Sequence, residues 1–335
     1  RRGSMNWQTS TVLITGGTGS FGKKFTEIML RDYRPKKLII FSRDELKQFE
    51  MRHLFPEDRH HNLRFFIGDV RDRDRLYRAF DGVDVVIHAA AHKQVPTAVY
   101  NPLEVIRTNI LGAANVIDAA IDRNVKHVLA LSTDKAASPI NLYGASKLCS
   151  DKLFVAGNSY VGEHSTRFGV VRYGNVVGSR GSVVPFFLKM RDSGRLPITD
   201  ERMTRFWITL EQGVEFVIGC IERMEGGELF VPKIPSMRIV DLARAIAPDC
   251  TLDFVGIRPG EKIHEVMITE DDSRNTVEFD AYYAILPLFK GVTVDGYIKR
   301  HGGKRCPDGF RFGSDTNTRW VTREELRRMV ALPEV

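Results

Sequence analysis

The sequence predicts an α/β fold: a doubly wound parallel sheet followed by a smaller C-terminal domain. Three observations carry this. Short apolar, β-branched runs alternate with amphipathic helical segments through the first half of the chain. The first such run ends in a glycine-rich turn. Residues suited to phosphate binding and proton transfer follow the runs, at what would be the carboxyl ends of parallel strands, where such sheets take their ligands.

Arg1, Arg2, Gly3 and Ser4 read as a cloning remnant ahead of a start at Met5 and are set aside. Thr11–Thr15 (TVLIT) is a buried parallel strand. Helical spacing follows over 20–33, with Phe21, Phe25, Ile28 and Met29 on one side. Residues 37–41 give the second strand, followed by a polar helix from Asp44. Leu63–Ile67 and 83–88 are the third and fourth strands, and 103–120 is a long amphipathic helix. Residues 125–131 form the fifth strand, Leu142–Gly157 a helix and 168–172 the sixth strand. After Asn175 prolines and glycines become frequent and the alternation fades. A helix over 210–224 and a strand over 229–231 are expected to return to the main sheet. A hairpin over 310–320 and a basic helix from Arg323 close the chain, with no chemical role evident.

Composition narrows the function classes. Apolar content of 43% and charged content of 27% are ordinary for a globular protein. No apolar run approaches the roughly 20 residues that span a bilayer, and the opening residues lack a signal-peptide pattern, so a soluble, cytoplasmic protein is expected. Cys149, Cys220, Cys250 and Cys306 lie far apart without CxxC spacing and read as reduced thiols. His60, His61 and His92 lack partners at ligand spacing, so no metal is expected. The net charge of +7 is dispersed. Arg71, Arg73 and Arg75 alternate with Asp72 and Asp74, as at a solvated helix start. The charge therefore points to phosphate-bearing ligands rather than to nucleic acid.

Gly16, Gly19 and Gly22 give GxxGxxG between the first strand and its helix, with Thr18, Ser20 and Phe21 in the same turn. Glycine allows close backbone approach to a pyrophosphate, and the helix N-terminus supplies N–H groups. An NAD site usually places an acid at the end of the second strand. Here that place holds Ser42 and Arg43, followed by Asp44 and Lys47. A guanidinium fork suits a 2′-phosphate, so NADP is favoured over NAD. Asp69 and Val70 follow the third strand, where the carboxylate can accept from an adenine amino group or cap a helix. Ala89, Ala90 and Ala91 follow the fourth strand; they let a cofactor approach or simply pack tightly. Lys93 and Asn109 complete the predicted cofactor set. Tyr143 and Lys147 share a helix face four residues apart, with Thr133 upstream. The ammonium is expected to lower the phenol's pKa for proton exchange with a substrate hydroxyl.

Gly16/Gly19/Gly22, Ser132-Thr133 and Tyr143-xxx-Lys147 resemble the extended short-chain dehydrogenase/reductase family, whose cofactor domain is Rossmann-type. A narrower resemblance lies in Ser132-Thr133-Asp134-Lys135-Ala136, Tyr143-Gly144-Ala145-Ser146-Lys147, Arg172-Tyr173-Gly174-Asn175-Val176 and Arg258-Pro259-Gly260-Glu261-Lys262. Together these are similar to the soluble inverting UDP-N-acetylglucosamine 4,6-dehydratases that begin pseudaminic acid synthesis for flagellin glycosylation. The similarity runs from about Thr11 to the C-terminus. It implies an NADP-binding domain over 5–177, rejoined by 210–232, and a mainly substrate-binding domain over 178–335. It also implies tightly bound NADP recycled in each turnover, UDP-N-acetylglucosamine as substrate and a homo-oligomer, in hexameric form.

The implied reaction is a hydride loan. Tyr143 deprotonates the C4 hydroxyl as hydride leaves C4, Lys135 removes the C5 proton, Asp134 protonates the departing C6 hydroxyl, and the hydride returns to C6. Lys135 must be neutral to act so, and Lys147 with the nicotinamide charge is expected to lower its pKa. Asp134 poses a difficulty, because a nearby ammonium keeps it ionised. The resemblance places Asn175, Arg180, Val183, Arg205, Arg258 and Glu261, with Lys93 and Thr133, around the nucleotide-sugar. Two alternatives stay open: a nucleotide-sugar 4-epimerase or retaining 4,6-dehydratase, and a non-catalytic NADP-binding regulator.

Overall fold

A strand covered on both faces needs apolar side chains at successive positions rather than alternate ones. Thr11–Thr15 (β1) has that pattern, and all of its residues are buried. The structure, a computed structural model, describes residues 5–177, 182–287 and 291–330. After β1 come α1 (Ser20–Ile28), β2 (Lys37–Ser42), α2 (Glu45–Leu54), β3 (Leu63–Ile67), α3 (Arg73–Ala79), β4 (Val85–His88) and α4 (Val95–Tyr100). Then follow α5 (Pro102–Ile106), α6 (Gly112–Asp122), β5 (His127–Thr133), α7 (Leu142–Gly157) and β6 (Arg167–Tyr173). The helix expected over 103–120 is α5 and α6 joined through a wider π-type turn at Arg107–Leu111. Strands β3, β2, β1, β4, β5 and β6 pair in that order, all parallel. The order reverses between β1 and β4, which opens a crevice at their carboxyl ends.

The second half contains β7 (Asn175–Val176), α8 (Val183–Met190), β8 (Arg195–Ile198), β9 (Thr204–Ile208), α9 (Leu210–Arg223) and β10 (Leu229–Pro232). Next are β11 (Ser236–Arg238), α10 (Ile239–Ile246), β12 (Thr251–Phe254), β13 (Val266–Ile268), β14 (Thr276–Glu278) and β15 (Tyr282–Ile285). The last elements are α11 (Val294–His301), β16 (Lys304–Arg305), β17 (Phe312–Gly313) and α12 (Arg323–Val330). Helix α9 starts in a capping box between Thr209 and Gln212, and β10 pairs in parallel with β6, returning the chain to the main sheet.

The sheet extends further than the alternation indicates. Strands β15, β14 and β16 add to its edge in antiparallel fashion and complete a 10-stranded sheet. They are two to four residues long, too short to leave a periodic signal in the sequence.

A second apolar cluster lies apart from the main core and joins Val184, Phe187, Leu196, Ile198, Trp207, Leu242 and Leu326. Leu326 brings α12 into it. The hairpin expected over 310–320 does not form. β17 pairs with β13 instead, and Trp320 bridges to Ser236. Buried Phe312 packs on Phe206 and Tyr283, so long-range apolar contacts override a local turn.

Candidate active site

A cavity of about 920 Å³ opens at the carboxyl ends of β1, β4 and β5. The turn after β1 lines one end with Gly16, Thr18, Gly19, Ser20, Phe21 and Gly22. Gly19 caps α1 with no side-chain hydrogen bond, and the first turn carries no acid. The helix therefore offers N–H groups and a partial positive charge to an anion. A Cβ on Gly22 would fall 2.1 Å from the Gly17 carbonyl oxygen, so the turn closes only over glycine. Beneath it, the Thr15 hydroxyl accepts from the Ala89 and Ala90 N–H groups at 3.2 and 3.3 Å and lies 2.8 Å from His88 Nδ1. The hydroxyl already accepts from those two donors, so its own proton goes to Nδ1. Burial, helped by the Lys147 ammonium, pushes His88 down to about 3 and keeps the ring neutral.

Ser42, Arg43, Asp44 and Lys47 line the cavity beyond β2. Asp44 caps α2, accepting from the Lys47 N–H at 3.0 Å, and its carboxylate pairs with Lys47 Nζ at 3.1 Å. Arg43 lies 3.7 Å from Asp69, whose carboxylate is held more closely by Arg71 at 2.7 Å. Asp69 does not cap α3; Asp72 does. Val70, Ala89, Ala90, Ala91 and Lys93 complete this wall. Asn109 does not reach the cavity and corrects the expectation of cofactor contact. It is buried behind the wall, bonding both backbone groups of His92 and the Ser146 hydroxyl.

The end of β5 brings Thr133, Asp134 and Lys135 to the cavity, and α7 brings Tyr143 and Lys147. Asn141 caps α7 by accepting from the Gly144 N–H at 2.8 Å. A Cβ on Gly144 would lie 2.2 Å from the Lys135 carbonyl oxygen, so glycine lets the helix pass close against the loop after β5. Thr133 Oγ1 and Lys135 Nζ donate to Asp134 Oδ1 at 3.1 and 3.2 Å. On its other side Lys135 Nζ lies 3.4 Å from Glu265.

Two electrostatic expectations are corrected here. Burial pushes the Tyr143 phenol up to about 12, against the opposing pull of Lys135 and the Thr133 hydrogen bond. Lys147 Nζ is turned to the Leu131 carbonyl at 2.7 Å. Burial alone would lower the Lys135 amine, but the carboxylates of Asp134 and Glu265 outweigh it and hold the amine above the usual lysine range.

On the substrate side, Asn175, Val183, Arg258 and Glu261 line the cavity. The loop that carries Arg258 and Glu261 is clamped to the segment between β5 and α7: Asn141 donates to the Gly260 carbonyl and Lys262 Nζ to the Ala137 carbonyl, each at 2.8 Å. Arg205 corrects another expectation. Its guanidinium donates to the carbonyls of Thr204, Ile263 and Lys262 at 2.7, 3.0 and 2.9 Å, so it braces the loop and does not line the cavity. Arg180 lies outside the described residues. Sequence reasoning missed Tyr173 and Trp207, which line the cavity, and Glu265. Glu265 stands three residues past Lys262, and no local pattern points from it to Lys135. Among the described residues no helix is long and apolar enough to cross a membrane.

Residues 12–287 match the family described as polysaccharide biosynthesis protein. The chain belongs to this family. As a polysaccharide biosynthesis protein it is 58% identical over 325 residues to UDP-N-acetylglucosamine 4,6-dehydratase (inverting) of Campylobacter jejuni serotype O:2, covering 95% of this chain and 96% of the relative. It is 42% identical to UDP-glucose 4-epimerase of Rickettsia akari, covering 96% and 95%. Among solved structures, Pen from Bacillus thuringiensis superposes with a TM-score of 0.88 at 35% identity, over 97% of this chain and 98% of that one. The Rossmann-type fold of an extended short-chain dehydrogenase/reductase, expected from the sequence, is the fold that family members share.

Proposed function

We propose that this chain is an NADP-dependent, C5-inverting UDP-N-acetylglucosamine 4,6-dehydratase. The observation that carries the reading is the pair formed by buried Asp134 and half-buried Lys135, 3.2 Å apart, beside Tyr143 in a cavity whose other end is a glycine turn. The high identity to the Campylobacter jejuni enzyme supports it. An epimerase, the activity named for the Rickettsia akari relative, exchanges a proton at the C4 hydroxyl and needs no acid and base for C5 and C6.

The glycine turn, the uncapped start of α1 and the small wall at Ala89, Ala90 and Ala91 fit a dinucleotide. Arg43, with Lys47 one turn on, fits the 2′-phosphate of NADP. When bound, the nicotinamide supplies a hydride acceptor that becomes the donor later in the same turnover. Tyr143 takes the C4-hydroxyl proton at its phenolic oxygen. Lys135 Nζ takes the C5 proton, and Asp134 delivers a proton to the departing C6 oxygen. Asn175 and Arg258 suit the nucleotide diphosphate, and Glu261 the ribose. The product, a UDP-4-keto-6-deoxy-hexosamine, would enter pseudaminic acid synthesis for flagellin or surface glycosylation in the cytoplasm. Val99, Tyr100, Leu103 and Leu111 are exposed apolar residues on or beside α4 and α5, and support self-association, which the reading extends to a hexamer.

Incubation with UDP-N-acetylglucosamine in deuterated water, followed by NMR, tests the reading. A C6 methyl group, deuterium at C5 and an inverted C5 centre are expected. Recovery of a C4 epimer alone would sink the proposal, and a retained C5 centre would move it to the retaining dehydratases.

A further inference from the structure

Glu265 lies just before β13, and its side chain is 2% exposed. Oε1 stands 3.4 Å from Lys135 Nζ and 3.9 Å from Arg205 Nε. Oε2 stands 3.8 Å from Lys262 Nζ and has no hydrogen-bond partner among the described residues, nor has Asp134 Oδ2. The Glu265 backbone is fixed from the far end of the chain. Its N–H donates to Ser314 Oγ at 2.9 Å, and its carbonyl accepts from the Ser314 N–H at 2.8 Å. Ser314 in turn bonds Thr204 at 2.7 Å. One amine from the β5 loop thus sits between a carboxylate of its own loop and a carboxylate carried by the C-terminal region. A buried carboxylate with an unbonded oxygen is costly to the fold, and the carboxyl is not needed to pair β13 with β17.

We propose that Glu265 is a positioning residue for dehydration: it holds the Lys135 amine opposite Asp134, and its charge keeps a proton within the Asp134–Lys135 pair. The inference rests on the dehydratase reading. A proton passes from Lys135 Nζ to Asp134 Oδ1 across their contact, leaving a neutral amine and a carboxylic acid with nothing drawn from solvent. The amine then takes the C5 proton, the C5–H electrons form the C5–C6 double bond, and the C6–O bond breaks. The acid's proton leaves with that oxygen as water, which restores the ion pair. At 3.4 Å, the Glu265 carboxylate attracts the ammonium that forms again as C5–H breaks. Burial, added to repulsion from Asp134, raises Glu265 itself. Asp134, Lys135, Arg205 and Lys262 are the charged groups that face it, with Tyr143 acting through Lys135. This arrangement answers the difficulty of an acid beside an ammonium.

The test compares wild type, Glu265→Gln and Glu265→Asp as NADP-loaded enzymes acting on UDP-N-acetylglucosamine in deuterated water. Glu265→Gln is expected to keep its melting temperature and its calorimetric affinity for UDP-N-acetylglucosamine, while kcat falls about 10²-fold. Removing a negative charge lowers neighbouring pKa values, so both limbs of its kcat–pH profile move about one unit to lower pH. Glu265→Asp recovers part of kcat and moves the profile back. Wild-type kcat with an unmoved profile in Glu265→Gln overturns the proposal, as does loss of folding or substrate binding in both variants. If the wild type itself forms no 4-keto-6-deoxy product, the dehydratase reading falls and this inference falls with it. If the wild type is active and Glu265→Gln is indifferent, only this inference falls.

Discussion

The turn after β1 meets the cavity with backbone N–H groups and glycines, whereas the loop after β5 meets it with Asp134 and Lys135 and lies against Tyr143 and Glu265. The first region depends on what is absent: a Cβ at Gly22 and a side chain capping α1. The second depends on what is brought together, since Lys135 and Glu265 are far apart in sequence and meet only in the folded chain, 3.4 Å apart. A phosphate can be held by local backbone geometry, which a short stretch of chain determines. Acid–base chemistry needs several ionisable groups whose pKa values shift one another, and those arrive by long-range packing.

The largest expected effect separates the two regions outright. Lys135→Ala should cut formation of the 4-keto-6-deoxy product about 10³–10⁴-fold while leaving NADP affinity unchanged. Product NMR and a cofactor-fluorescence titration read the two quantities on one preparation. Dehydration by this variant at wild-type rate would take Lys135 out of its role and dissolve the contrast. Gly22→Ala should show the reverse pattern, although less cleanly. The new methyl collides with backbone rather than with a flexible side chain, so the turn must shift. NADP affinity is expected to fall about 100-fold and stability by about 1–3 kcal/mol. A variant that binds NADP normally would mean that the turn has slack the structure does not show.

The two regions also differ in how far the sequence alone makes them readable. The turn after β1 was readable because its glycines, its strand and its helix are contiguous. Thr133, Asp134, Lys135, Tyr143 and Lys147 were readable because they follow one strand or share one helix face. What the sequence hid was which cation acts on which acid. Lys147 stands four residues from Tyr143 and looked like its partner, but Nζ turns to the Leu131 carbonyl and Lys135 takes that place. Arg205 looked like a phosphate ligand because guanidinium suits phosphate. The loop carbonyls of Lys262 and Ile263 bind it first, and those contacts exist only in the folded chain. The antiparallel edge of β14, β15 and β16 was hidden for a different reason, because such short strands carry too few residues to show a period.

A smaller effect sharpens the cofactor side, where one charged side chain adds choice to a backbone site. Arg43→Ala should weaken NADP about 10-fold and leave NAD nearly unchanged, the loss of one charge-assisted contact. Parallel titrations with both cofactors decide it. Equal weakening of the two would show that Arg43 does not read the 2′-phosphate. Lys47 is expected to matter less, because Asp44 already pairs with it at 3.1 Å.

The smallest effect concerns the floor under the glycine turn and appears in stability rather than in turnover. His88 is buried, neutral and held down to about 3, accepting at Nδ1 from the Thr15 hydroxyl that also receives the Ala89 and Ala90 N–H groups. In the unfolded chain the same ring takes a proton near its ordinary value of about 6.5. Below that pH the unfolded state binds a proton that the folded state refuses, so His88 makes stability fall as pH drops from 7 towards 5. His127, held down to about 4, acts in the same direction. His88→Asn keeps an acceptor for Thr15 and removes the titration. Its urea-unfolding free energy should therefore lose less between pH 7 and 5 than that of the wild type, by roughly 1–2 kcal/mol. An unchanged slope would mean that the folded ring takes up its proton near the ordinary pH. The floor of the turn would then carry a charge, and the contrast between a charge-free backbone site and the charged loop after β5 would not hold at its base.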